Sequence, residues 1–329
     1  MNNIKYKIAV DIGGCDSPEE ELCLGALRAL ELDPALGVVI VGDREKIARV
    51  LEKEEYDVGR VEILDAPDVV TNYDNPMEAI FRKTDSSLVR ALTALAERED
   101  VTGMINAGST GALIAGALRY VPANPIKRPA LAAVLPAEKG GFTCLVDTGA
   151  NIDTTSAQLH EFARMGRDFM KEYYAIESPR IGLLSNGSEP TKGNKVVKET
   201  HILLRDDPEL NFVGNIEGNN ALTGDCDVLV ADGFAGNQIF KSAEGIAKRI
   251  ITDIVRYAKK TGDQGAMQLV GHLMGIYDFG KLGGAVILGV GKPIIKARGN
   301  SNTDSIKNSA AILLNMFKNK SLFDGRDER

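Results

Sequence analysis

Short apolar runs, each stopping at glycine or a small polar residue, alternate along the chain with stretches of helical periodicity. Lys7–Val10, Gly37–Gly42, Val61–Leu64 and Val101–Ile105 read as buried strands, with helices over Glu19–Leu32, Arg44–Lys53, Asp85–Glu97 and Ala112–Leu118. Unbroken apolar runs suit strands covered on both faces, so the alternation predicts a parallel sheet with helices on each side. Ser17 and Pro18 predict the N-cap and first helical residue of the first helix. At Tyr120–Arg128 the rhythm breaks, and Pro122 and Pro125 suggest a crossover between lobes. Leu131–Leu135 and Thr143–Val146 read as a hairpin turning at Lys139-Gly140-Gly141.

The alternation resumes with a helix over Ser156–Ala175, a strand over Ile181–Leu184 and a helix over Val196–Leu204. Strands at Phe212–Asn215 and Val228–Ala231 follow, then a long helix over Ile239–Tyr257. Gly262–Tyr277 carries Met267, Leu269, Val270, Leu273, Met274 and Ile276 and reads as part of a helical flap near 258–282. Strands at Val286–Val290 and Ile294–Ala297 and a helix over Asp304–Phe317 close the fold, and the charged tail after Asn319 is expected to fray. The expectation is an α/β fold of three α/β/α layers with a largely parallel sheet, one domain over 1–329 with room for two lobes.

Five predicted strands end in the same kind of loop: Asp11–Asp16, Asn106–Gly111, Asp147–Asn151, Ser185–Asn194 and Asp232–Asn237. Loops at the carboxyl ends of strands in one sheet face one crevice, where open α/β sheets hold their ligands. The most informative is Ser185–Asn194, Ser-Asn-Gly-Ser-Glu-Pro-Thr-Lys-Gly-Asn. Its glycines let the backbone approach a ligand, its N–H groups attract negative charge, and Lys192 adds a cation. A phosphate or acyl-phosphate site is the hypothesis. Gly108-Ser109-Thr110-Gly111 opens a helix and offers a second anion-binding end. Arg82-Lys83 and Arg298 beside Asn300-Ser301 are further anion candidates.

Other chemistries find less support. Gly182–Gly187 has Walker A spacing, but Ser188 stands where the lysine belongs, and no G-x-G-x-x-G occurs, so no nucleotide cofactor is implied. His160, His201 and His272 lie in helical patterns that favour packing over catalysis, and no metal-ligand cluster is apparent. Cys15, Cys23, Cys144 and Cys226 form no C-x-x-C pair and read as reduced thiols, with Cys15 alone placed to react. A net charge of -7, few aromatics and no Trp argue against a nucleic-acid partner. No apolar run approaches the roughly 18 residues that span a bilayer, and the N-terminus has no signal-peptide pattern, so a cytoplasmic protein is expected.

Those loops, with Arg82-Lys-Thr-Asp-Ser-Ser87, Asn211-Phe-Val-Gly-Asn-Ile-Glu-Gly218 and Gly283-Gly-Ala-Val-Ile-Leu-Gly289, resemble the PlsX family of bacterial phosphate acyltransferases, in order from about Ile8 to Leu313. Three positions depart from the family's usual pattern: Cys15 separates Gly14 from Asp16, Asn219-Asn220 follow Gly218, and Arg298 precedes Gly299-Asn300-Ser301. The resemblance implies an isopropylmalate dehydrogenase-like fold and a homodimer in the cytoplasm, peripheral on the inner face of the membrane. It also implies conversion of acyl-acyl-carrier-protein and inorganic phosphate into acyl phosphate and free carrier protein. A membrane glycerol-3-phosphate acyltransferase in phospholipid synthesis would take the product.

On that reading no metal or cofactor is needed. Lys192 and Arg82 balance phosphate charge, Asn237 or backbone N–H groups hold the oxyanion, and Asp232 and Asp147 orient cationic or amide side chains. Candidate substrate contacts are Asp11, Gly13, Gly14, Asp16, Lys83, Asn106, Gly108, Ser109, Thr110, Gly111, Asn151, Asn186, Gly187, Ser188, Gly193, Asn194, Arg298, Asn300 and Ser301. The rival readings are a phosphotransacylase using short acyl-CoA or another acyl thioester, and a non-catalytic adaptor docking a membrane or an enzyme through the flap.

Overall fold

The computed structural model describes residues 4–125, 127–277 and 283–318; the end of the expected flap, 278–282, and the tail after Asn319 lie outside the described residues. The first part of the chain forms β1 (Tyr6–Asp11), α1 (Glu19–Ala29), β2 (Leu36–Gly42), α2 (Arg44–Leu51), β3 (Val61–Asp65), α3 (Pro76–Arg82), α4 (Ser87–Glu97), β4 (Gly103–Asn106) and α5 (Thr110–Tyr120). Next come β5 (Ala130–Pro136), β6 (Phe142–Val146), α6 (Ser156–Tyr174), β7 (Arg180–Ser185), α7 (Lys195–Asp206), β8 (Asn211–Glu217) and β9 (Val228–Val230). The chain continues through α8 (Gly233–Thr261), α9 (Gln264–Tyr277), β10 (Ala285–Leu288), β11 (Ile294–Lys296) and α10 (Thr303–Lys318). It divides into two compact units, the first of Met1–Leu131, Glu172–Tyr174 and Gly283–Arg329, the second of Ala132–Lys171 and Ala175–Leu282.

In the first unit the strand order is β3-β2-β1-β4-β11-β10, all parallel except β10, which runs antiparallel to β11. The strands are apolar throughout because helices cover both faces; Ile8, Val38, Ile40 and Met104 are fully buried. From β1 the chain winds outward through β2 and β3, then returns to place β4 on the other side of β1. That reversal is a topological switch point, and the ends of the two strands, Asp11 and Asn106, are register partners there.

Helix starts follow local chemistry. Asp43 caps α2, and Asn75 caps α3 with Pro76 in its first turn, a seven-residue helix that hydrophobic periodicity does not reveal. At α1 the structure corrects the sequence reading. Pro18, not Ser17, occupies the N-cap, with ψ at 134°, and no side chain caps the helix. Glu19, Glu20 and Glu21 in the first turn complement its dipole instead.

In the second unit the order is β5-β6-β9-β7-β8, with β5 and β6 forming the expected antiparallel hairpin and the rest parallel. Its switch point lies between β7 and β9, because the chain passes from β7 outward to β8 and then back to β9. One helix start differs from expectation. Asp232–Asn237 is no loop: Asp232 caps α8, whose 29 residues begin at Gly233. The flap region is the 14-residue α9, whose Met267, Leu269, Met274 and Ile276 are exposed.

At the C-cap of α7, buried Asp207 accepts hydrogen bonds from His160 Nε2 at 2.6 Å, Arg164 Nε at 2.8 Å and the Glu209 N–H at 3.0 Å. Burial raises the Asp207 carboxyl, but those donors outweigh it and hold it at about 2. A carboxyl lower in the folded than in the unfolded chain stabilises the fold above its unfolded value near 4 and loses that contribution as pH falls toward 2. Asp207 is therefore expected to contribute about 2 kcal/mol at neutral pH. Urea midpoints measured between pH 5 and 3 check this: the wild type falls steeply, and Asp207→Asn, already weaker at pH 7, falls less.

Candidate functional site

The five loops separate by unit. In the first unit, the Asp11 and Asn106 loops meet at the switch point, where Asn106 Nδ2 donates to Asp11 Oδ2 at 2.6 Å and the Gly13 N–H to Oδ1 at 3.1 Å. Gly108 packs so closely that a Cβ there would lie 3.2 Å from the Gly13 carbonyl oxygen and 3.3 Å from that of Gly14. Arg298–Ser301 joins them, since Asp16 N donates to the Gly299 carbonyl and Ala297 N to that of Asn106. Burial raises the Asp11 carboxyl to about 6, against the Ser87 hydroxyl, the Asn106 amide, the Gly13 N–H and nearby Lys296. Ser87 and Lys296 are site residues that the sequence reading omits; Ser87 Oγ stands where a Cβ on Gly13 would fall.

Among the buried oxygens of this crevice, Asn106 Oδ1 and Ser301 Oγ have no hydrogen-bond partner among the described residues. Buried polar atoms are nearly always paired, so such orphans mark a place where a ligand or water completes the structure. Ser109 sits at the N-cap of α5 without a side-chain cap bond, which leaves Thr110, Gly111 and the rest of that first turn to offer N–H groups. Other candidates are committed elsewhere. Arg82 pairs with Glu78 at 2.6 Å on an exposed face, and Lys83 Nζ binds the Val69 carbonyl and Asp74. Cys15 Sγ points at the carbonyls of Ser17 and Ile12, and burial raises its thiol, which opposes the nucleophilic role open to it in sequence. Cys23, Cys144 and Cys226 are buried free thiols pushed up to about 12.

The second unit contains a cleft of about 740 Å³ at its switch point. Leu183, Leu184 and Ser185 from the end of β7, Ala231 and Asp232 after β9, and Gly218 after β8 line it. Asn186, Gly193, Asn194, Val196 and Val197 form the wall on the side of α7; Ile152, Asp153 and Thr154 line it from the approach to α6, and Leu159 from α6 itself. Both α7 and α8 begin at this cleft. Asn194 caps α7 by accepting from Val197 N at 2.9 Å, and Asp232 caps α8 by accepting from Ala235 N at 2.7 Å. The helix ends supply positive potential and the β7, α7 and α8 side chains an apolar floor. Ser185 Oγ is a further buried oxygen without a partner among the described residues.

The Ser185–Asn194 loop is tightly built. Asn186 Oδ1 accepts from Gly193 N at 2.8 Å, and Lys192 N donates to the Glu189 carbonyl at 3.0 Å. Gly193 has φ at 97°, a left-handed conformation that glycine adopts without strain and that turns the chain into α7. A Cβ on Gly187 would strike Lys192 Cγ at 2.7 Å, so the lysine stem lies across that glycine. Lys192 and Ser188 are exposed, and no carboxylate pairs with Lys192 among the described residues.

Asp147 and Asn151 form a separate, interlocked wall. The Asp147 carboxylate accepts from the N–H groups of Gly149, Ala150 and Asn151 and from Asn151 Nδ2. The Gly233 N–H donates to the Asn151 carbonyl at 2.7 Å, and Asn237 Nδ2 to that of Thr148 at 3.1 Å. The start of α8 is thus tied to the Asp147 loop, with one of the two Asn237 amide hydrogens engaged.

The family described as "Fatty acid synthesis protein" matches this chain over residues 6–321. Phosphate acyltransferase of Halothermothrix orenii is 37% identical over 313 residues, covering 93% of each chain. That of Brevibacillus brevis is 39% identical over 309 residues, covering 92% of this chain and 91% of its own. The chain belongs to the PlsX family of phosphate acyltransferases. Among solved structures, EutD phosphotransacetylase from Staphylococcus aureus superposes with a TM-score of 0.60 at 15% identity, over 95% of this chain and 94% of that one. The 4-hydroxythreonine-4-phosphate dehydrogenase from Klebsiella pneumoniae gives 0.55 at 15% identity, over 94% and 98%. At that identity the likeness concerns the fold, and it bears out the expected dehydrogenase-like α/β architecture. The PlsX motifs fall at the sites just described: Arg82–Ser87 leads into α4, Asn211–Gly218 is β8 with its exit, and Asp232–Asn237 opens α8.

Proposed function

We propose that this acyltransferase moves an acyl group from an acyl-carrier-protein thioester to inorganic phosphate, as a step of phospholipid synthesis. The observation that carries the reading is the second-unit cleft, where the two ends of the loop that carries Lys192 and two helix N-termini stand beside an apolar floor, Lys192 itself being exposed outside the lining. A phosphate oxygen attacks the thioester carbonyl carbon, a C–O bond forms, the tetrahedral oxyanion collapses, and the C–S bond breaks. The hydrogen carried by the phosphate passes to the departing thiolate, leaving acyl phosphate and the free thiol. Phosphate, with a second pKa near 6 to 7 like its monoesters, is largely a dianion at neutral pH and needs positioning more than a base.

Lys192 and the first N–H groups of α7 would hold that dianion, and Asn237 would give its second amide hydrogen to the oxyanion; one such donor is worth about 3 kcal/mol. Asp232 and Asp147 shape the wall through the caps and bonds they already make. The reading extends to a homodimer that touches the membrane and passes its product to a membrane glycerol-3-phosphate acyltransferase. Supporting it are the exposed apolar residues of α8 and α9, including Ile246, Ile250, Met267 and Leu269; among the described residues no helix is long and apolar enough to cross a membrane.

The decisive assay offers the purified chain carrier-protein and CoA thioesters of matched acyl length and follows phosphate-dependent thiol release. Carrier-protein thioesters are expected to win by at least about tenfold in kcat/KM, the ratio that 1.4 kcal/mol of extra binding supplies. Preference for short acyl-CoA would turn the reading into a CoA-dependent phosphotransacylase. No turnover with any thioester would favour an adaptor.

A further inference from the structure

We propose that His201 and Asn215 are positioning residues that set Lys192 for phosphate, an inference that rests on Lys192 being the phosphate-binding cation. Neither residue lines the cleft. His201 lies on the buried face of α7 and Asn215 on β8, in register with Leu183 of β7, and both are nearly inaccessible to solvent. His201 Nδ1 and Asn215 Oδ1 are 2.9 Å apart, and Asn215 Nδ2 donates to the Glu189 carbonyl at 2.8 Å. That same carbonyl accepts the Lys192 N–H at 3.0 Å. One oxygen therefore takes two donors, one that closes the turn presenting Lys192 and one that anchors the turn to the sheet.

The direction of each bond is determined. Asn215 spends an amide hydrogen on Glu189, so its Oδ1 must accept, and His201 Nδ1 must carry the hydrogen between them. The imidazole is itself fixed, standing edge-on to Phe212 with ring centroids 5.0 Å apart at 78°. A chain of contacts thus runs from the sheet through Phe212, His201 and Asn215 to the backbone of the loop. The exposed end of that loop is otherwise held by the Asn186 bond to Gly193 N and by the lysine stem over Gly187. Freed from Asn215, the Glu189–Lys192 turn keeps its internal bond but loses its tether to β8, and the ammonium samples positions away from the anion. A residue that serves only to satisfy the core would change stability alone.

The test is steady-state phosphate dependence on the full chain with a saturating carrier-protein thioester. Asn215→Ala is expected to raise the KM for phosphate about tenfold, as loss of one hydrogen bond that positions a charged group would do, with the KM for the thioester moving less than about twofold. In a Lys192→Ala background the same change should add nothing, because residues that act through one another are not additive. His201→Leu should repeat the phosphate effect. His201→Asn, whose amide places a donor near the Nδ1 position, should recover most of it; this pair keeps the test usable if Asn215→Ala does not fold. An unchanged phosphate KM in Asn215→Ala or His201→Leu, or effects that multiply with Lys192→Ala, overturns the positioning role. An unchanged phosphate KM in Lys192→Ala overturns the phosphate reading of that lysine and this inference with it.

Discussion

Lys192→Ala is expected to raise the KM for phosphate about 30-fold while leaving the KM for the thioester nearly unchanged. A charge-assisted hydrogen bond is worth about 1.5 to 3 kcal/mol, or roughly 10- to 150-fold. Lys192 is exposed, so solvent screens its charge and places the effect in the lower half of that range. What raises it above the value for a surface ion pair is the fixed geometry of the loop. The residue's own N–H is tied to Glu189 and its stem crosses Gly187, so less side-chain freedom is lost on binding than for a free lysine. Lys192→Arg keeps the charge but must pass a longer, planar group over the same glycine, and should recover only part of the loss. Phosphate titrations at saturating thioester decide the matter. A thioester KM that rose as much as the phosphate KM would mean that Lys192 serves the donor instead.

The loop that presents Lys192 was the most legible part of the site, and the reason is physical. An apolar strand buried on both faces has nowhere to place Ser, Asn and Gly, so their abrupt arrival after Leu184 marks the carboxyl end of β7 from sequence alone. The same logic exposed the ends of β1, β4 and β6. It failed at Asp232–Asn237, where two glycines in six residues read as a loop but open a long helix. Their purpose is tertiary: a Cβ at Gly236 would fall 2.0 Å from the Asp147 carbonyl oxygen, and one at Gly233 2.6 Å from that of Asn151. Helix propensity disfavours both positions by about 1 kcal/mol each, and close packing overrides it. His201 and Asn215 were illegible for a different reason. They stand 14 residues apart on different elements, and only the pairing of β7 with β8 brings the Glu189 carbonyl of the preceding loop within reach of Asn215, whose other amide atom meets His201. Ser87 and Lys296 likewise reach Asp11 only through the tertiary fold.

Asp147→Ala is expected to lower stability by about 3 kcal/mol and to disturb the start of α8 along with its own loop. The Asp147 side chain is fully buried, and its carboxylate accepts from three backbone N–H groups and the Asn151 amide, at 2.6 to 3.2 Å. Alanine leaves those four donors facing an apolar side chain, at about 1 to 3 kcal/mol for each that water does not reach. Two effects reduce the total below that sum: the charge no longer has to be buried, and the exposed side of the loop can relax toward solvent. The remaining loss should appear as a fall of about 6 to 12 °C in Tm, since roughly 2 to 4 °C accompanies each kcal/mol in chains of this order of size. Asp147→Asn keeps one acceptor but turns an NH2 group toward donors, so it should fall between alanine and the wild type. Because Gly233 bonds the Asn151 carbonyl and Asn237 that of Thr148, hydrogen exchange at the first turn of α8 should rise together with exchange in residues 147–151. Calorimetry with site-resolved exchange checks both parts. A lowered Tm with unchanged exchange at α8 would separate the carboxylate's contribution to its own loop from any hold on the helix that opens onto the cleft.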